Sequence, residues 1–277
     1  MLEEKKMQVI ASIVLYHHSY EQVENTLRSL LREQCVERIV LIDNGGSGWA
    51  SSLNNDRLYY ILSGYNVGFA QAHNLAIMLY LMDFKYFLIC NPDISFTSGS
   101  VECLYRFACL GAHQFVSPRM CYSDGRFQYS CRLLPTPLNL LLRYFLPTLG
   151  RKMDVNYELQ QADYNQTFFV PSVSGCFMLL KCELLKKLHG FDERYFMYLE
   201  DVDLCRRALR LTNIVYFPGV TITHLFGKGS YKNITMLRYH ICSAIAYFNK
   251  WGWFFDRERR QYNKQFLRDI PMLHQDN

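Results

Sequence analysis

Apolar runs alternate with helical patterns through the first ninety residues, and this alternation constrains the fold more than any other feature. Four runs are typical of buried strands, because β-branched and aromatic residues follow one another without polar alternation. Two other segments repeat apolar residues at helical spacing. In chain order these are strand 9–16, helix 20–33, strands 37–43 and 57–62, helix 69–82 and strand 85–93. This order predicts an α/β domain with a mostly parallel central sheet flanked by helices.

Polar residues follow three of the predicted strands at the point where each strand ends. They are Tyr16 with His17, Asp43 with Asn44, and the Asn91-Pro92-Asp93 step. Ligands bind sheets of this kind at the carboxyl ends of the parallel strands. The pattern therefore predicts a ligand site at this edge, although aspartate is also an ordinary turn residue.

The rest of the chain is less regular until its last forty residues. We expect a helix over 98–110, short strands around a turn at 123–125, and an apolar helix over 135–150. A polar loop over 150–168 is long enough to be functional or mobile. A strand over 172–180, a helix over 199–211 and two short strands follow. From Met236 the pattern is helical, aromatic and basic, which predicts a C-terminal helical extension.

Composition and missing motifs argue against several classes of protein. The chain has 277 residues, 50% of them hydrophobic, and a net charge of +5, which is too diffuse to indicate nucleic-acid binding. No dinucleotide fingerprint, P-loop or serine-hydrolase elbow occurs, which disfavours dehydrogenases, P-loop NTPases and serine hydrolases. No membrane span or signal peptide is evident and the ten cysteines are scattered, so we expect a cytoplasmic protein with reduced thiols.

Carboxylates provide a second functional signal. Glu200, Asp201 and Asp203 begin a predicted helix directly after an aromatic stretch, YFMY. Acidic residues in the first turn of a helix also complement its dipole, so their position alone leaves both a catalytic and a structural role open.

Six blocks in order resemble inverting glycosyltransferases of family 2, which have the GT-A fold, and most closely their bacterial rhamnosyltransferase-like branch. They are SIVLYHHSYEQVENTLRSLL, VLIDNGGSG, YNVGFAQAHNLA, FLICNPDI, VSGCFMLLKCELLKKLHGFDERYFMYLEDVDLCRRA and VTITHLFGKGS. The resemblance implies a Rossmann-like GT-A catalytic domain over about 1–230, with a nucleotide-sugar-binding half over 1–97 and an acceptor-binding half over 98–230. Residues 231–277 would form the helical extension.

The resemblance also assigns a donor site. Asp43 matches the aspartate that hydrogen-bonds the pyrimidine ring of a nucleotide sugar, and the backbone up to Tyr16 would complete that base pocket. The N-x-G-F-x-x-x-x-N block would lie beside the ribose and diphosphate; its matching residues are Asn66, Gly68, Phe69 and Asn74. Asn91 and Asp93 occupy the place of the D-x-D metal motif, with an asparagine in place of its first acid.

A divalent metal, Mg²⁺ or Mn²⁺, is the implied cofactor, because it neutralises the charge of a departing diphosphate. Asp93 and His224 are the implied ligands. Imidazole suits Mn²⁺ better than Mg²⁺, and a hydrogen-bonded structural histidine is the alternative for His224.

Asp201 matches the catalytic base of the family, and Glu200 would orient the loop beside it. A carboxylate next to the acceptor hydroxyl takes its proton as the bond to the sugar forms, which gives a single displacement with inversion. Ser174, Gly175 and Cys176 lie in the block that would line the acceptor side, where a glycine lets a sugar approach the backbone closely.

The sequence thus predicts an enzyme that transfers L-rhamnose from dTDP-L-rhamnose to a lipid-linked glycan in bacterial surface polysaccharide (O-antigen) biosynthesis. The alternatives are a UDP-hexose-dependent enzyme of the same fold, a nucleotidyltransferase and a non-catalytic nucleotide-sugar-binding module.

The tail combines Trp251 and Trp253 with Arg257, Arg259 and Arg260. Such a tail either contacts the inner face of the plasma membrane as a peripheral protein does, or packs its aromatic residues on the catalytic domain.

Overall fold

The computed structural model describes residues 7–145, 154–225 and 234–273. The strands are β1 Met7–Leu15, β2 Val36–Asp43, β3 Leu58–Leu62, β4 Phe84–Cys90, β5 Ile94–Ser95, β6 Phe115–Tyr122, β7 Cys131–Arg132, β8 Phe168–Val170, β9 Ser172–Val173, β10 Phe177–Lys181 and β11 Ile214–His224. The helices are α1 Tyr20–Leu31, α2 Gly68–Tyr80, α3 Ser100–Leu110, α4 Pro137–Phe145, α5 Cys182–Leu188, α6 Glu200–Ala208, α7 Ile234–Trp251 and α8 Arg257–Asp269. A 3₁₀ helix spans Gly48–Ser52.

A central sheet runs in the order β3-β2-β1-β4-β10-β6-β11-β5, and β8 pairs with β11. The first four strands of this order are parallel, as the sequence predicts. Beyond β4 the sheet is mixed, because β10 runs antiparallel to both β4 and β6. The connections after β1 and β4 leave in different directions, and such a point creates a crevice at the carboxyl ends of the strands.

Both faces of the sheet are covered, which explains the continuous apolar runs. In β1, Ile10 faces one core together with residues of α2, whereas Val9 and Ala11 face a second core with α1 and α3. Alternate residues of a strand point to opposite faces, so a strand between two helical layers has no polar side.

Several segments differ from the predicted ones, and the two short strands expected after the helix over 199–211 form a single strand, β11. The described part of the expected polar loop over 150–168 is mostly irregular after one helical turn at 154–157, but it is not a polar surface loop, because Tyr157, Leu159, Ala162 and Tyr164 are buried in the core. The expected strand over 172–180 is interrupted between β9 and β10. The helix expected over 135–150 is α4, and the end of that stretch lies outside the described residues.

The C-terminal helices pack against α6. Arg206 is 1% exposed and lies 2.6 Å from Asp256, and its guanidinium stacks 4.2 Å from the ring centre of Trp251. The indole N–H of Trp251 donates a 2.7 Å hydrogen bond to Asp203. Arg259 is also buried. For these residues the second expected arrangement, packing on the catalytic domain, is the one observed.

Candidate active site

A cavity of about 460 Å³ lies at the carboxyl ends of β1 and β4. Its wall is formed by Val14, Tyr16, His18, Asn44, Asn66, Gly68, Phe69, Cys90, Asn91, Pro92, Asp93, Ser174, Gly175, Cys176, Met197, Tyr198, Glu200, Asp201, His224 and Met236. Nine of the eleven residues expected to be catalytic, donor-binding or metal-binding therefore share one cavity, together with Ser174, Gly175 and Cys176 of the expected acceptor side. The exceptions are Asp43 and Asn74.

Asp43 lies behind the cavity wall rather than in it. Its carboxylate is 2% exposed, and Oδ1 accepts hydrogen bonds from the backbone N–H groups of Gly45 and Ser47. Its Oδ2 accepts a 2.9 Å hydrogen bond from the hydroxyl of Tyr60. Both oxygens are thus engaged in holding the loop after β2, and the expected contact between Asp43 and a pyrimidine ring stays a prediction.

Asn74 also acts from outside the wall. Its Oδ1 accepts a 2.9 Å hydrogen bond from the N–H of Phe191, and its Nδ2 donates a 3.0 Å hydrogen bond to the carbonyl of Phe191. A Cβ on Gly190 would lie 2.4 Å from Oδ1 of Asn74, so a larger residue does not fit there. Asn74 therefore fixes the start of the segment that leads to Glu200, instead of facing a ligand.

The same segment is joined to α2 at Gly68. The backbone of Gly68 has φ +85°, and a Cβ there would lie 2.2 Å from the carbonyl oxygen of Phe196. The N–H of Phe69 donates a 2.8 Å hydrogen bond to that carbonyl. This close approach requires glycine and brings the aromatic stretch against the donor-side loop.

Glu200 and Asp201 enter the cavity at the first turn of α6. Tyr198 and Leu199 precede them with φ of 73° and 64°, a left-handed conformation that costs about 1–3 kcal/mol per residue and concentrates at functional sites. Asp201 Oδ2 accepts a 2.9 Å hydrogen bond from the N–H of Gly175, and Oδ1 accepts one from Val202. Glu200 is 7% exposed, and its Oε2 has no hydrogen-bond partner among the described residues.

The two carboxyl groups differ in their electrostatic surroundings. Burial, and then the charge of Asp201, raise the pKa of Glu200 well above its usual range. Burial also raises the pKa of Asp201, but the N–H of Gly175 and the charge of Arg132 oppose that rise. Burial thus acts on both carboxyl groups, but only the rise in the pKa of Asp201 is opposed by a hydrogen bond and a nearby positive charge, which favours Asp201 as the more acidic of the two.

Asp93 and His224 lie together in the wall of the same cavity. Asp93 Oδ2 lies 3.0 Å from Nε2 of His224, and Nδ1 of that ring lies 3.2 Å from Oε1 of Gln128. Oδ1 of Asp93 is buried without a partner among the described residues. A carboxylate and an imidazole nitrogen suit a borderline divalent ion such as Mn²⁺, so the pair fits a two-residue metal site. The described part of the chain holds no group of three or more candidate ligands.

The cavity wall carries three carboxyl groups, and within the described residues it includes no lysine or arginine. An anionic ligand such as a diphosphate would meet an unfavourable field there unless a metal ion or neutral N–H donors compensate. The observed wall is therefore consistent with a metal between Asp93 and an anionic ligand.

Several lining residues carry no clear signal in the sequence. His18, Tyr198 and Met236 reach the wall only because the fold brings three distant segments together. Asn44, by contrast, is one of the polar residues that the sequence places at a strand end, and its amide donates to Asn66 Oδ1 and to the carbonyl of Gly68.

The curated relatives of the chain are glycosyltransferases. It is 26% identical over 209 residues to the low-salt glycan biosynthesis hexosyltransferase Agl10 of Haloferax volcanii, covering 73% of this chain and 62% of the relative. It is 24% identical over 276 residues to the rhamnosyltransferase WbbL of Escherichia coli, covering 95% and 98%. It is 27% identical over 219 residues to the N-acetylglucosaminyl-diphospho-decaprenol L-rhamnosyltransferase of Mycobacterium tuberculosis, covering 71% and 68%. No family model matches the chain.

Solved structures show the same fold. GalNAc-T7, crystallised with UDP, GalNAc and Mn²⁺, superposes with a TM-score of 0.60 at 12% identity, over 81% of this chain and 45% of that protein. Residues 1–349 of Staphylococcus aureus TarS superpose with a TM-score of 0.56 at 15% identity, over 79% of this chain and 60% of that one.

These comparisons confirm the expected GT-A fold, the resemblance to family 2 glycosyltransferases of the rhamnosyltransferase branch, and the enzyme class, a glycosyltransferase. The chain spans 62% of the length of the archaeal relative, and 45% and 60% of the two superposed structures.

Proposed function

We propose that this chain transfers L-rhamnose from dTDP-L-rhamnose to a lipid-linked glycan acceptor, by a single displacement that inverts the sugar's anomeric centre. One observation carries the proposal: Asp201, the more acidic of the two carboxyl groups, shares a cavity with the Asp93–His224 pair. A cavity of about 460 Å³ is within the range of small-molecule sites, about 300–1,000 Å³. A base and an anchor for the leaving group within one cavity are the two elements that a direct displacement needs.

The base acts on the acceptor. Asp201 accepts the proton of the acceptor hydroxyl while its oxygen bonds to C1 of the sugar and the bond from C1 to the diphosphate oxygen breaks. Glu200, whose pKa is raised well above its usual range, is protonated in this proposal and adds no second negative charge beside the developing bond. The N–H of Gly175 holds the Asp201 carboxylate in one orientation, so that its free electron pairs face the cavity.

The leaving group is a nucleoside diphosphate in this proposal. Asp93 and His224 would hold Mg²⁺ or Mn²⁺, and such an ion supplies charge neutralisation to the departing diphosphate. Asn66 and Asn91 offer side-chain amides on the same wall, and Gly68 allows close approach to the backbone. These neutral donors hold the diphosphate and ribose without adding charge.

The nature of the donor rests on the relatives. Two of the three named above are rhamnosyltransferases, which supports dTDP-L-rhamnose. The archaeal hexosyltransferase, and the UDP in the GalNAc-T7 structure, favour a UDP-hexose as the second candidate. A thermal shift titration with dTDP-rhamnose, UDP-glucose and UDP-N-acetylglucosamine, each with Mn²⁺, tests this. Selective stabilisation by dTDP-rhamnose supports the proposal, whereas selective stabilisation by a UDP-sugar assigns the second candidate.

The proposal also assigns a function to each part of the chain. Residues 1–97 contribute the donor side, 98–230 contribute the base and the acceptor side, and 231–277 form the extension. The extension takes part in the site, because Met236 lies in the cavity wall and Asp256 binds Arg206 of the helix that carries Asp201.

We further propose that the extension contacts an anionic membrane surface where a lipid-linked acceptor is anchored. None of the described helices combines the length and hydrophobicity needed to cross a bilayer. Exposed apolar side chains on α4, on α7 and before α8 lie next to exposed cations of α8. We call this surface the apolar-basic face. It comprises Leu138, Leu141, Ile241, Ile245, Trp253, Phe254, Phe255, Arg257, Arg260 and Lys264. Aromatic residues beside cations suit the headgroup region of a membrane, and α7 also reaches the cavity through Met236.

A further inference from the structure

His18 is a cavity residue to which neither the motifs nor the proposed mechanism assigns a role. It lies three residues beyond the end of β1 and is half-buried. It lines the same cavity as Tyr16, on the donor side, and Asp93, on the metal side. The charge of Asp93 acts on the ring of His18, so the two side chains are close enough to interact.

The backbone of His18 is held firmly by the loop after β2. Its N–H donates a 3.1 Å hydrogen bond to the hydroxyl of Ser47, and its carbonyl accepts a 2.7 Å hydrogen bond from the indole N–H of Trp49. Ser47 is fully buried, and its own N–H is bound by Asp43. Asp43 therefore supports the position of His18 through Ser47.

The protonation of the His18 ring follows from one hydrogen bond. The backbone N–H of Tyr16 donates to Nδ1 of His18 at 2.9 Å. Because Nδ1 accepts, it carries no proton, and the neutral ring bears its proton on Nε2. Within the described chain no residue hydrogen-bonds that Nε2, so one N–H donor on the cavity wall is free.

This arrangement excludes a metal-ligand role for His18. The lone pair of Nδ1 receives the Tyr16 N–H, and Nε2 carries the proton. An imidazole binds a metal through a nitrogen lone pair, and here neither nitrogen has one to offer. The ring can only donate a hydrogen bond toward the cavity.

We propose that Nε2–H of His18 donates a hydrogen bond to a diphosphate oxygen of the nucleotide-sugar donor. The inference rests on the proposed function, which places a diphosphate beside the Asp93–His224 pair. A wall with three carboxyl groups and, among the described residues, no lysine or arginine must bind phosphate with neutral donors or a metal. A fixed neutral N–H supplies such a donor without competing with the metal for the Asp93 carboxylate.

The test compares the binding of dTDP and of thymidine, each with Mn²⁺, by ligand-observed NMR titration. His18→Asn keeps an oxygen that can accept the hydrogen bond from the Tyr16 N–H, but it removes the donor at the position of Nε2. His18→Gln keeps an N–H donor near that position. His189→Asn, at an exposed left-handed position outside the cavity, is the matched control.

We expect His18→Asn to weaken dTDP binding about tenfold, the usual effect of one hydrogen bond to a charged group, and to leave thymidine binding unchanged. His18→Gln should recover most of the dTDP affinity, and His189→Asn should bind as the wild type does. Wild-type affinity for dTDP in His18→Asn would overturn the inference, and so would equal losses for dTDP and thymidine. If the wild-type chain binds neither dTDP nor UDP, the proposed function itself fails, and that outcome is distinct from a failure of His18 alone.

Discussion

The backbone N–H of Gly175 lies 2.9 Å from Oδ2 of Asp201 and donates a hydrogen bond to it. The absence of a side chain at Gly175 permits this contact, because a Cβ there would lie 3.1 Å from the Cβ of Asp201. The loop between β9 and β10 thus sets the orientation of the carboxylate that begins α6. The interrupted strand is the reason why a backbone N–H is free to do this.

Gly175→Ala should lower kcat by about tenfold or more and leave the affinity for the donor unchanged. The added methyl group moves Asp201 by a few tenths of an ångström, and small displacements of a catalytic group are costly. Steady-state kinetics and a donor titration measure the two quantities. Gly48→Ala is the matched control, because a Cβ at Gly48 meets nothing within 4 Å. A wild-type kcat in Gly175→Ala would show that this contact does not orient the base.

The sequence predicts the donor half of the fold well because three of its strands, β1, β2 and β4, are largely buried on both faces, whereas β3 is only partly buried. Runs such as 9–16 and 37–43 have no polar alternation, and their ends point to the cavity. The sequence does not predict the burial within the described part of 150–168, because the buried residues, Tyr157 and Leu159 among them, are spaced between polar ones without a helical or strand period. Their burial depends on distant partners.

Motif matching located the cavity but did not separate wall residues from supporting ones. Asn74 belongs to the same block as Asn66, yet it binds Phe191 behind the wall. His18 lies in the first of the six blocks, but the resemblance assigns it no role, and its proposed role as a donor depends on the Tyr16 N–H, a contact that only the folded loop creates. In the same way, the sequence left both a membrane role and a packing role open for Arg259, which the structure buries.

As the pH is lowered, the enzyme should lose activity at a pH above the ordinary pKa range of an aspartate. Asp201 must be ionised to accept a proton, and burial raises its pKa from the usual value near 4. Activity therefore falls as the pH drops through this raised pKa and is full above it. Measurement of kcat/KM from pH 4 to 9, with circular dichroism to monitor the fold, checks this loss of activity. Full activity down to about pH 4 would contradict the assignment.

Removal of the metal should abolish transfer, and Asp93→Ala should weaken donor binding at least about tenfold when Mn²⁺ is present. Oδ1 of Asp93 has no protein partner among the described residues, so its loss removes a ligand and leaves the local fold intact. Calorimetric titrations with and without EDTA make the comparison. Asp83→Ala, which alters an exposed acid at the other end of β4, is the control. Unchanged activity in EDTA together with wild-type donor binding by Asp93→Ala would remove the metal from the account.

The apolar-basic face should bind anionic vesicles, and its affinity should fall with added salt. Each cation near such a surface contributes about 1 kcal/mol, and Phe254 and Phe255 are 67% and 91% exposed. The double substitution Phe254→Ser with Phe255→Ser should lower co-sedimentation several-fold. Point variants are preferable to truncation, because Asp256 binds Arg206 and its removal would disturb α6.

Leu110→Ser serves as the control for the vesicle experiment, since Leu110 is 90% exposed on α3, outside the apolar-basic face. Equal sedimentation of the wild type and the double variant would leave these aromatic residues without a membrane role.

The central claim is that Asp201 is the base of a sugar transfer, and the variant Asp201→Asn tests it most directly. An asparagine keeps the size of the side chain and an oxygen for the Gly175 N–H, but it accepts no proton. The account predicts a transfer rate at least about 10²-fold lower, with donor affinity within about twofold of the wild type. Asp124→Asn, an acid-to-amide change at an exposed turn, should retain the full rate. Transfer by Asp201→Asn at close to the wild-type rate would contradict the account.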